Sequence, residues 1–138
     1  MGQFKHKRTL CFFLCALPSI SVFSQETQHA LAHYELRITE TQSSQLISTI
    51  DKFAHDDGFN AKAERTIREG RPVDTVMLQR DDGVMIIVDS FLKQNTYDIM
   101  FYAKQQDTKY DQAKADLLKD IKHAFGENVD LRNIQSPK

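Results

Sequence analysis

Four histidines stand beyond the first two dozen residues: His29, His33, His55 and His123. With the carboxylates, they are the side chains able to hold a metal or move a proton near neutral pH. No two of them have the helical i, i+4 spacing, with a glutamate beside the first, that zinc hydrolases use. His29 and His33 can share one face of a strand, but four strand residues set them about 13 Å apart, too far for one ion. Surface histidines are expected, with no metal and no cofactor. Nucleophilic chemistry finds no better footing. There is no Gly-x-Ser-x-Gly turn, and the two cysteines, Cys11 and Cys15, both lie near the N-terminus. Ser90 follows Asp89, which does not make a triad. Gly58, Gly70, Gly83 and Gly126 are isolated, so no glycine-rich loop cradles a phosphate. The expected catalytic set is therefore none.

Charge clusters remain. His55-Asp56-Asp57 falls in the last turn of an expected helix, where the dipole disfavours anions by a few tenths of a kcal/mol each. A local rule broken without visible gain points towards function. Adjacent helix residues diverge by about 100°, so the pair suits a basic partner better than a catalytic dyad. Asp81-Asp82 lies in an expected hairpin turn, where aspartate has local reasons to sit. Arg65, Arg68 and Arg71 gather around another turn and supply the opposite sign. The expected partner-binding residues are therefore Asp56, Asp57, Asp81, Asp82, Arg65, Arg68 and Arg71.

The elements carrying these residues follow from apolar periodicity. Ala32, Tyr34, Leu36 and Ile38 alternate with polar residues, which predicts a half-buried strand. Leu46, Ile47, Ile50, Phe53 and Ala54 form a helical stripe, capped by Ser43 or Ser44 and ended at Gly58. Strands are predicted over 59–67, 73–80, 84–91 and 97–104. Glu69-Gly70-Arg71-Pro72 and Asp81-Asp82-Gly83 make the first two turns. The unbroken apolar run Val84 to Val88 predicts a central strand covered on both faces. Tyr110, Ala113, Leu117, Ile121 and Phe125 mark a second helix, with Thr108 and Asp111 as a capping box, and a short strand follows over 129–134. The order β-α-β-β-β-β-α-β, with short links between the middle strands, predicts an α+β fold. An antiparallel sheet of five to six strands would bury both amphipathic helices on one face.

The N-terminus differs in kind. Lys5, Lys7 and Arg8 precede the apolar run Leu10 to Leu17, and Pro18 then interrupts it. Val22-Phe23-Ser24 offers a cleavage site, so residues 1–24 read as a signal peptide cut between Ser24 and Gln25, with Ser21 as the alternative. Residues 25–138 read as one domain in the periplasm. Leu14, ahead of Cys15, is bulkier than lipid attachment favours, and the apolar run is too short to span a bilayer, so no stable membrane anchor is expected. The leader removes three of the 18 basic residues and none of the 19 acidic ones, leaving 15 against 19 and a net charge of −4. An acidic domain is a poor binder of nucleic acid. The mature chain, free of cysteine, must rely on its core and not on a disulfide.

The layout of cleavable signal, small acidic α+β domain and no catalytic motif resembles the periplasmic immunity proteins of bacteriocin producers, in particular the pesticin and colicin M immunity type. The resemblance is one of layout and transfers no residue role; the colicin M type also carries a disulfide, which this mature chain cannot form. It implies a non-enzymatic protein that neutralises a toxin or cell-wall hydrolase by direct binding. Two other readings stand beside it. One is an envelope assembly factor that binds peptide or lipid, and the other is a small hydrolase using His55, Asp56 and Asp57.

Overall fold

Strict alternation of apolar and polar residues along the first strand, β1 (Ala32–Arg37), gives it one face for a core and one for charge. The computed structural model describes residues 29–90 and 93–134. The expected leader with its Ser24–Gln25 cleavage point, Phe91 and Leu92, and the last four residues lie outside the described residues. After β1 come a 3-10 turn (Glu40–Gln42), α1 (Ser43–Asp56), β2 (Asn60–Arg68), β3 (Arg71–Gln79), β4 (Met85–Asp89), β5 (Thr96–Tyr102), α2 (Thr108–Phe125) and β6 (Asp130–Asn133). All strand pairs are antiparallel, in one open sheet of order β2-β3-β4-β5-β1-β6. The fold is α+β, with both helices on one face, as the periodicity predicts.

The core is the layer between that face and the helices. Leu36, Val76, Leu78, Ile86, Val88, Ile99 and Phe101 from the sheet meet Leu46, Ile50 and Phe53 of α1 and Tyr110, Leu117 and Ile121 of α2. The link from β1 to β2 must cross four inter-strand steps, about 19 Å. The 14 residues of α1, rising about 1.5 Å each, cover about 21 Å. Gly58 (φ 72°) ends α1, and the Phe59 amide returns to the Ala54 carbonyl at 2.8 Å, the six-to-one bond of a Schellman cap. Phe59 then packs on Phe53 with ring centroids 5.4 Å apart.

Three local expectations are corrected. The expected cap at Ser43 or Ser44 is instead a 3-10 turn ahead of α1, in which Gln42 Oε1 accepts from the Thr39 amide at 3.0 Å. Helix α2 is capped by Asp107 rather than Thr108, because the extended backbone at Asp107 turns its carboxylate onto the Tyr110 amide at 2.9 Å. Strand β4 is interior, but Met85 and Ile87 are half-buried rather than covered, since both helices lie on the other face.

Candidate functional site

The helix-free face of the sheet carries an unusual row. The register sets Asp89 of β4 opposite Asp98 of β5, and Asp98 opposite Glu35 of β1. Like charges directly opposite one another destabilise a sheet, so three carboxylates in line need compensation. Each has a basic group beside it. Arg68 Nη1 lies 3.8 Å from Asp89 Oδ2, and His33 Nε2 lies 2.7 Å from Asp98 Oδ1. Arg37 Nε donates to Glu35 Oε1 at 2.9 Å, and Lys93 Nζ donates to Glu35 Oε2 at 3.2 Å. The Lys93 ammonium, and after it the Arg37 guanidinium, hold the Glu35 carboxyl below the usual carboxylate range against the opposing pull of burial. Asp98 and Glu35 are only 5% and 7% exposed, so these groups are held in place on the sheet.

Beside this charged row runs an apolar one. Met77, Ile87 and Met100 are consecutive cross-strand neighbours, and Met85 faces Tyr102 next to them. All five are half-buried. The three methionines of the described residues thus lie together on the open face. Thioether side chains adapt to irregular apolar surfaces, and methionine, tyrosine and arginine are enriched where proteins meet.

The expected partner-binding residues separate into two groups, at opposite ends of the β2–β3 hairpin. Nine residues per strand, at about 3.3 Å each, put those ends roughly 30 Å apart. At the acidic end, Arg80 gathers the pieces. Its Nη2 lies 2.8 Å from Asp82 Oδ2, its Nη1 donates to the Asp57 carbonyl at 3.4 Å, and Nη2 donates to the Lys109 carbonyl at 3.2 Å. The guanidinium also sits 4.6 Å from the centre of the Phe59 ring. Asp82 is held below the usual range chiefly by that Arg80 bond. Burial, then Asp116 and Asp120 of α2, push the Asp57 carboxyl up. Asp56 is engaged by Lys52 at 2.6 Å, and Asp81 is exposed.

At the basic end, Arg65 makes a bidentate pair with Asp74, at 2.6 and 2.9 Å, which holds Asp74 low. Arg65 and Arg71 line a cleft of about 470 Å³ with Ser90, Lys93 and Tyr97. Arg68 belongs to the open face beside Asp89. The register divides the three arginines by face: Arg65, opposite Asp74, is on the helix-bearing side, whereas Arg68 and Arg71 are cross-strand partners on the open side.

Sequence reasoning missed His33, Glu35, Asp89 and Asp98 as a group. His33 is no simple surface histidine: it is half-buried against Asp98. The signal was available only in part. Tyr97, Ile99 and Phe101 on one face imply Asp98 and Met100 on the other, but only the β1–β5 register brings Asp98 to His33. Among the described residues, no group of three or more His, Cys, Asp or Glu is placed to hold a metal ion. No helix among them is long and apolar enough to cross a membrane. Neither a family model nor a curated protein matches the chain.

Proposed function

We propose that this chain is an exported, non-enzymatic binding protein, an immunity or inhibitor protein that neutralises a bacteriocin or cell-wall-degrading toxin by direct contact. In this reading it grips its partner with the open face of the sheet. One observation carries the surface assignment: the compensated carboxylate row Asp89–Asp98–Glu35 lies against the apolar row Met77–Ile87–Met100. The first supplies charges locked in register, which favours specificity and fast association. The second supplies adaptable apolar area to desolvate. The basic, apolar N-terminal segment supports export, and with it action where such toxins work. The acidic end, with Asp56 and Asp81 exposed beside Asp57 and Asp82, is a second anchor for a basic partner.

The test begins with the reading frames beside the gene, since an immunity protein is made together with its toxin. The neighbouring exported toxin is titrated calorimetrically with the protein, and cells lacking the protein are challenged with it. The reading requires tight binding and protection. It also requires that Met77→Glu with Met100→Glu lower affinity by more than about tenfold while both variants remain folded. Reversing charge at Asp56/Asp57 or Asp81/Asp82 should weaken binding less. A toxin that neither binds nor is neutralised overturns the proposal. An envelope defect on deletion in cells without any toxin would favour the assembly-factor reading.

A further inference from the structure

Strand β2 is one edge of the sheet, and its nine residues are exposed along nearly their whole length. Such an edge offers a row of backbone donors and acceptors to another strand. Which groups point outward follows from the turn. Glu69 and Gly70 have φ of 51° and 74°, the two-residue type I′ geometry, and the register closes on Arg68 opposite Arg71. That makes Arg68 and Arg71 a hydrogen-bonded pair. Alternation along the ladder then turns the N–H and C=O of Ala61, Ala63, Arg65 and Ile67 away from β3.

We propose that β2 pairs antiparallel with β2 of a second copy, about a twofold axis through Ala63, joining the two six-stranded sheets into one. An axis perpendicular to the sheet keeps every side chain on its own face, so the register must match residues of the same face. Centred on Ala63, it sets Lys62 opposite Glu64 of the second copy and Glu64 opposite that copy's Lys62. Two reciprocal ion pairs form, and the outward amides of Ala61, Ala63 and Arg65 all meet partners. Ile67, 79% exposed in the single chain, comes to lie beside Phe59 of the second copy.

Other registers fit less well. Centring on Lys62, Glu64 or Arg65 sets like charges against each other at the axis. Centring on Thr66 matches Glu64 with Arg68, but the turn at Glu69–Gly70 confines that ladder to residues 64–68. The Ala63 register runs from 60 to 66. Charged residues on an edge strand ordinarily guard it against pairing; in this register alone, over this length, the same charges attract. The dimer also sets the two open faces side by side on one surface. This inference does not depend on what that face binds.

Sedimentation equilibrium of the protein as recovered from its own cells tests it. The expected result is a concentration-dependent dimer. Lys62→Glu and Glu64→Lys each raise its dissociation constant on the order of tenfold or more, because both ion pairs become repulsions. The double variant Lys62→Glu/Glu64→Lys regains the dimer. Ala63→Pro removes an amide that points outward, so it abolishes the dimer while the far-ultraviolet circular dichroism is preserved. A single-chain mass at every concentration, a dimer indifferent to Lys62→Glu, or a double variant no tighter than the single ones would overturn the proposal. The Lys62 variant carries the test even if the proline variant fails to fold, because Lys62 is exposed.

Discussion

His33 Nε2 sits 2.7 Å from Asp98 Oδ1, a diagonal contact between neighbouring strands on the helix-free face of the sheet. Asp98 is almost wholly buried there, so the imidazole is what makes a carboxylate tolerable beside two others. His33→Ala leaves that carboxylate without its closest partner and should cost about 2–3 kcal/mol in urea unfolding. Asp98→Asn keeps an acceptor for the ring and removes a like charge from the row, so its cost is smaller. Equal losses in the two variants would show that the contact does not support the row.

Arg80 ties the C-terminal end of α1, the first turn of α2 and the β3–β4 turn to one guanidinium. Lysine keeps the charge but cannot make the fork. Arg80→Lys is expected to lose about 1–2 kcal/mol, and Arg80→Ala more, as the cover over the Phe59 ring also goes. Thermal denaturation of both variants checks the order.

Tyr110 is fully buried and its hydroxyl has no partner among the described residues. Burial pushes the phenol up to about 12. Tyr110→Phe removes a desolvated polar atom and keeps the ring that fills the core. It should be neutral or stabilising by about 1 kcal/mol. A marked loss of stability would reveal a bond to that oxygen.

The acid limb of stability should be set by several carboxylates, with one working in reverse. Glu35, Asp74 and Asp82 are held below their ordinary values, first by Lys93, Arg65 and Arg80 respectively. Their contribution is complete above the unfolded-state values and is lost as pH falls through the folded ones, so stability should decline below about pH 4. Asp57 is pushed up, by burial first, so it is a burden at neutral pH that fades on acidification. Asp57→Asn should therefore raise the melting temperature at pH 7 by about 1–2 °C. That advantage should vanish below about pH 4. Differential scanning calorimetry across pH reads both effects.

The elements and the fold class are legible in the residue pattern alone. The stripe through Leu46, Ile50 and Phe53, and that through Tyr110, Leu117 and Ile121, are periodic over several turns and admit one reading. Gly58 and Gly83, both at positive φ, end elements where the chain says they do. The helix caps lie one to four residues from the positions the periodicity indicates, because Thr39, Asp107 and their neighbours are all competent cap residues and backbone geometry chooses among them.

Which polar faces meet depends on how the whole chain packs. Alternation put His33 and Glu35 on one side of β1, and Asp98 and Met100 on one side of β5. No local signal said that β1 would insert between β5 and β6, with Ala32 opposite Phe101. Strand order and register are settled by burying both helices on a single sheet face. That is a property of the whole core, and it carries residues 65 positions apart in sequence to hydrogen-bonding distance. The register likewise divides Arg65, opposite Asp74, from Arg68 and Arg71, which face each other across the hairpin, because strand residues an odd number apart point to opposite faces.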